Sequence, residues 1–197
     1  MRSDRGQTLP IYIWMTGILL FVAFAFFAFA QAASARNGAQ SAADAAALAA
    51  AQDARDEIID GLGKSIGKGD DWLDWLGGDM FTGNGAKGAA EALAADNEST
   101  IIGFGPEEVN GYPGFRAKIE TTYTVGDSII PGTESKHARA EATAVIKPRC
   151  DIAPDADPEK AVEFDCDGGD SFEIDPDDFH LDDLPDASVL FSVHLAD

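Results

Sequence analysis

Two tripeptides, Gly126-Asp127-Ser128 and Gly169-Asp170-Ser171, set a serine behind glycine and aspartate, and Asp177 and His180 follow downstream. These are residue types of acyl-transfer hydrolysis, in which a histidine activates the serine and fixed N–H donors hold the oxyanion. Only about 50 residues separate the first tripeptide from the Asp-His pair, and no alternating strand–helix pattern supplies the rigid scaffold. Turn chemistry accounts for both tripeptides. Gly83-Asn84-Gly85-Ala86-Lys87-Gly88 fits a glycine-rich phosphate loop. A dinucleotide site needs a buried strand before that turn, and DWLDWLGGDMF is not one, so the reading is a glycine-rich helix start. His137, His180 and His194 lack the spacing of a zinc helix. Asp165, Asp167 and Asp170 approach the start of a calcium loop, but its glycine and closing glutamate are off register. No cofactor is expected, with Ca²⁺ kept as the minor alternative to a solvated acidic loop.

Charge narrows the partners. The 197 residues carry a formal net charge of -21, which excludes nucleic acid, because phosphate binding needs clustered Lys and Arg. No small-molecule substrate is expected either. Sixteen carboxylates against one lysine lie between Cys150 and the C-terminus, most of them in a Pro- and Gly-punctuated tract over 150–186 that shows little periodicity and reads in part as loop. Cys150 and Cys166 are the only cysteines. In an exported domain they form one disulfide closing a loop of about 15 residues, worth roughly 3 kcal/mol in the loop-entropy account.

Export is implied by the N-terminus. Leu9 to Ala30 holds no charged residue, and about 22 apolar residues suffice to cross a hydrocarbon core as a helix. Pro10 falls in the first turn, where a missing N–H costs nothing, and Tyr12 and Trp14 sit where interfacial aromatics do. Arg2 and Arg5 precede the span and only Arg36 follows closely, so the short N-terminus is expected inside and the bulk outside. The competing reading is a signal peptide cut after Ala28-Phe29-Ala30. Against it, the apolar run exceeds a signal peptide's usual core, and helix-forming sequence continues beyond the cut.

Past the span, Gln31 to about Asp60 extends the same rod, since alanine is the best helix former. Its polar residues recur at threes and fours, leaving a thin Ala face fit for close packing against a sheet or helix. Gly61, Gly63, Gly67 and Gly69 are expected to end it. The succession of RGQTLP, an apolar span and ARNGAQSAADAAALAAA resembles the N-terminal region of TadE/TadG-like proteins of the Flp (Tad) pilus-assembly system, of the actinobacterial TadG-related type. The resemblance covers roughly residues 5–55 and centres on the box from Gln40 through Asp44 and Leu48 to Ala50. It implies a non-enzymatic, membrane-anchored, pilin-like subunit or assembly factor, with other pilus or secretion subunits and the lipid bilayer as partners. Gln40, Asp44 and Leu48 are the expected assembly contacts. Gly6 and Gln7 flank the candidate processing bond, although Ile11 stands where pilin precursors carry glutamate.

Downstream the pattern is α+β. Trp72, Trp75 and Leu76 share one side of a short helix, and AKGAAEALAADN forms a second. STIIGF is a short strand. FRAKIETTYTV alternates with Phe115, Ala117, Ile119, Thr121, Tyr123 and Val125 on one face. KHARAEATAVIK alternates with Ala138, Ala140, Ala142, Ala144 and Ile146 on one face. ASVLFSVHLAD is a last strand. The expected architecture is a long N-terminal transmembrane and extracytoplasmic helix packed on a small antiparallel sheet, pilin-like. Its divisions are 1–8 cytoplasmic, 9–30 transmembrane, 31–60 Ala-rich helix, 61–149 exterior domain, and 150–197 acidic disulfide-closed tract with the final strand. The alternative function is an exported acidic module binding a cation or basic partner, its signal cleaved near Ala30.

Overall fold

The computed structural model describes residues 8–78, 80, 82–124 and 135–196. A single helix, α1 (Thr8–Ser65), runs without a break through the apolar span and the Ala-rich segment. At 1.5 Å per residue its 58 residues extend about 87 Å. Two short helices follow, α2 (Trp72–Gly77) and α3 (Ala86–Asp96). Strands β1 (Ser99–Val109), β2 (Tyr112–Thr124) and β3 (His137–Pro148) come next. The rest comprises β4 (Cys150–Ile152), β5 (Val162–Cys166), β6 (Asp170–Ile174), α4 (Ala187–Leu190) and β7 (Phe191–Leu195). The main sheet is antiparallel in the order β1-β2-β3-β7, and β4-β5-β6 form a second, antiparallel one.

The Ala face does what its composition allows. Ala39, Ala42, Ala43, Ala46, Ala47, Ala50, Ala51 and Ala54 are fully buried, and α1 packs against β2, β3 and α3. Opposite them, Phe115, Ala117 and Ile119 of β2 and Ala144 and Ile146 of β3 point into the same core. Two Ala-rich surfaces leave no long side chains to hold the backbones apart. Toward the C-terminal end the buried residues of α1 enlarge to Ile58 and Leu62, and with Ile66 just past the helix they meet Trp72 and Leu76 of α2 in the core. Outward residues of the main sheet form cross-strand ion pairs, including Arg116 with Glu107 at 2.8 Å and Lys118 with Glu141 at 2.9 Å. Exposed pairs of this kind contribute at most about 1 kcal/mol each.

Four sequence expectations need correction. The helix passes Gly61 and Gly63 and ends at Ser65, because those glycines are notches rather than breaks. A Cβ at Gly61 would lie 2.5–2.6 Å from three ring atoms of Trp75, and one at Gly63 would lie 2.7 Å from Leu181. Gly61→Leu is therefore expected to lower stability by about 1–3 kcal/mol through overpacking, despite a gain in helix propensity of up to about 1 kcal/mol. A thermal melt of the detergent-solubilised chain checks this.

The short strand STIIGF is in fact the start of an eleven-residue strand. Asn110 (φ 55°) and Gly111 (φ 82°) turn the chain into β2, the Asn-Gly signature of a type I′ hairpin. Pro106 is tolerated because β1 is an edge strand. ASVLFSVHLAD divides into the helical turn α4 and the strand β7. Lastly, the acidic tract, expected to show little periodicity, contains regular strands. VEFDC and DSFEI alternate, with Val162, Phe164, Cys166 and Ile174 buried and the carboxylates outward. Cys150 lies directly opposite Cys166 across the β4–β5 ladder and is disulfide-bonded to it.

Candidate functional site

Gln40, Asp44 and Leu48, the contacts expected from the sequence, lie on α1, which has two zones of opposite exposure. From Leu9 to Phe29 every large apolar side chain is open, with Trp14 73% and Phe29 76% exposed, whereas Ala35 is only 6% exposed. The lower helix thus has the length and composition to cross a membrane, and the upper helix is already covered by its own sheet.

Within the upper zone, Gln40 donates its side-chain amide to Asp44 at 2.8 Å, one helical turn away. The same amide reaches the carbonyl of Glu141 on β3 at 3.4 Å. Leu48 is half-buried against the core. Asp44 thereby interrupts the Ala run at the margin of the buried face, where a carboxylate can remain partly hydrated and hold Gln40 toward the sheet. Nearly two turns below Asp44, Gly38 lets the phenol of Tyr123 settle where a Cβ would otherwise sit. That close approach explains the one glycine inside the Ala-rich stretch.

Sequence reasoning missed Glu57. Its carboxylate accepts hydrogen bonds from the Thr82 hydroxyl, from the Asn84 backbone N–H at 3.2 Å, and from the Asn84 side-chain amide at 3.2 Å. The glycine-rich turn is therefore a latch that docks the start of α3 onto α1, and a carboxylate occupies the place a phosphate would need. The Thr82 hydroxyl is the main cause holding the Glu57 carboxyl below its ordinary 4.5; desolvation opposes the shift and the Asn84 and Gly83 amides assist it. A lowered carboxylate pKa adds stability that is complete above the unfolded value and lost as pH falls through the folded one. The latch should loosen below about pH 4.5, and Glu57→Gln should remove that pH dependence, read as amide exchange at Asn84.

The other motifs come apart. The Ser171 hydroxyl donates to Asp165, His180 offers its backbone N–H to Asp183 at 2.9 Å, and Asp167 pairs with Arg149 at 3.7 Å. His137 faces the Thr121 carbonyl at 2.7 Å, while His194 lies exposed on β7. Among the described residues no three His, Cys, Asp or Glu side chains converge as metal ligands. Gly6, Gln7, Val125 and the Gly126-Asp127-Ser128 tripeptide fall outside the described residues.

Residues 6–53, from the arginine-flanked N-terminus through the Ala box, match the family model for Flp pilus-assembly TadE/G-like proteins. The N-terminal module is TadE/G-like. Its match covers about a quarter of the chain and ends inside α1. It thus takes in the bare half of the helix and most of the Ala face. Neither a curated protein nor a solved structure matches the chain significantly. The TadE/G-like module links the protein to Flp pilus assembly and, with its long exposed apolar helix, to membranes. The α+β body beyond residue 53 is joined to the module by the helix itself.

Proposed function

We propose that the chain is a non-enzymatic, single-pass, pilin-like subunit or assembly factor of a Flp/Tad-type pilus or related secretion system. One observation carries the reading: a single helix is bare and apolar through Phe29 and buried under an antiparallel sheet from Ala35 onward. A soluble protein would not leave Trp14, Phe21, Phe26 and Phe29 in water. Within a bilayer the same surface needs no further cover, and neighbouring subunits can pack their spans against it through van der Waals contact. With Arg2 and Arg5 retained on the cytoplasmic side, the exterior body stands outside, where the Cys150–Cys166 disulfide persists. Asp44 is half-buried beside Gln40, and in this reading its carboxylate pairs with a cation of a neighbouring subunit.

Intact mass and membrane fractionation of the mature protein test the reading. A membrane-bound product retaining the apolar span is expected. A soluble product beginning at Gln31 would overturn it. A second reading, an acidic binding module, is favoured by the outer face of the small sheet. There Asp151 opposes Asp165 and Glu163 opposes Glu173, an arrangement that costs stability. Co-purification separates the two, because a pilus subunit travels with other membrane pilus components and a free binder does not.

A further inference from the structure

We propose that the membrane-side end of the main sheet is itself a lipid-contact surface, seated in the headgroup layer through Arg36 and Lys136. The proposal rests on the membrane-anchored reading and adds a second contact beyond the span. The level of the sheet follows from contacts at both ends of α1. Gln40 meets the Glu141 carbonyl, so these positions stand at one height. At the far end, Trp75 of α2 lies on Gly61, and Pro148 at the end of β3 lies against Gly78. Helix and strand therefore run in the same sense, away from the span. From Glu141 down to Lys136 is five residues, about 16 Å of strand. A nearer marker is the Tyr123 phenol at Gly38: Thr124 pairs with His137, so Lys136 lies about two strand residues below Tyr123, or about one helical turn below Gly38.

An independent observation agrees. Between Leu9 and Ser34 only Ala25, Ala28 and Gln31 are half-buried, and the rest of the described side chains are exposed. Their spacing continues the face of Ala35, Ala39 and Ala42 that packs in the core, so shielding of the helix extends below the end of the apolar segment. Gln31 Oε1 on that face is buried without a hydrogen-bond partner among the described residues, so the cover over the helix reaches down to this level.

The charges suit the same plane. Arg36 is the sole charged residue between the span and Asp44, about 9 Å above Ala30. Arg36 and Lys136 are exposed. Exposed Glu98, whose carbonyl accepts from the Thr122 N–H, stands at the same end, as does exposed Asp96, the last residue of α3 two positions before it. In a protein of net charge -21, two cations thus face two carboxylates among the described residues of the membrane end, and the long Arg and Lys side chains can extend to the headgroups. The acid-rich tract packs at the opposite end. Trp72 of α2 holds that tract through Pro158, beside the last turns of α1. Each Lys or Arg held near an anionic surface is worth about fivefold in association. With those two exposed cations within reach of the headgroups and the acidic tract at the far end, the occupant is a bilayer surface carrying anionic phospholipid.

The test uses the full chain with its disulfide closed, reconstituted in vesicles of phosphatidylcholine with or without phosphatidylglycerol. A fluorophore is placed at Thr124→Cys, an exposed position paired with His137. Parallel samples carry it at Met15→Cys in the span or at Glu173→Cys on the small sheet. Quenchers are attached to lipids at headgroup or mid-chain depth. Headgroup quenching at position 124, stronger with phosphatidylglycerol, and none at 173 are expected. Arg36→Gln with Lys136→Gln should abolish the phosphatidylglycerol-dependent increment while leaving the melting temperature unchanged. Mid-chain quenching at position 15 with none at 124 overturns this inference and spares the anchor. Absence of quenching at position 15 overturns both.

Discussion

Truncating Trp72 to alanine destabilises the exterior domain by about 3–5 kcal/mol, the range for losing a large buried aromatic. Trp72 is fully buried, and its indole N–H donates to the carbonyl of Pro158, 86 positions along the chain, at 3.1 Å. The side chain has two jobs. Its rings fill the space where α1 exchanges Ala for Ile58 and Leu62, and its N–H tethers the acidic tract to α2. Trp72→Phe separates them: packing is largely kept, and the Pro158 carbonyl loses its donor at a cost of about 1–3 kcal/mol. Thermal melts should order wild type above phenylalanine above alanine. In the phenylalanine variant, amide exchange should rise first around Pro158. Equal melts for all three would remove Trp72 from the role assigned to it.

Replacing Cys150 and Cys166 together by alanine should cost about 2–5 kcal/mol, the usual range for a native disulfide. The bond closes a separation of 16 residues between adjacent strands. It is worth more here because the strands it joins repel. Asp151 and Asp165 stand opposite one another across the joined strands, and Glu163 faces Glu173 on the neighbouring β5–β6 ladder. Without the bond, the small sheet must hold on Val162, Phe164, Ile174 and the Phe164–Phe172 ring contact. Salt screens exposed charges within a Debye length of about 10 Å at 0.1 M. The double variant should therefore regain part of its loss as salt rises, and the oxidised wild type should respond less. Denaturant melts at two salt concentrations measure the difference.

What the sequence made legible follows from periodicity. The apolar span, the Ala rod and the alternation of β2 and β3 are long, regular signals, and the residues assigned inward on β2, such as Phe115, Ala117 and Ile119, are the buried ones. The small sheet was hidden because each of its strands spans only three to five residues. Its outward positions are carboxylates, which read as solvated loop when summed as composition. Gly61 and Gly63 misled for another reason: a glycine that ends a helix and one that admits a ring look alike until the ring is located. The box residues Gln40 and Asp44 were identifiable as special, but their contact with the Glu141 carbonyl depends on register between distant segments. Glu57 gave no local signal at all, since its partners lie 25 and 27 positions away.

The uninterrupted course of α1 has a mechanical corollary. Some 35 residues lie between Ala30 and Ser65 in one helical piece, a lever arm of about 53 Å. No joint separates the buried root from the body, so any inclination of the span is inherited by everything above it. Spans commonly lean by about 20°, and at that angle the far end is carried sideways by about 18 Å. A neighbour that alters the lean of the root, by packing against Gly17 or Phe21, thereby steers the acidic tip without touching it. The molecule behaves as a rudder post: torque applied in the bilayer is delivered, undiminished, at the outer surface.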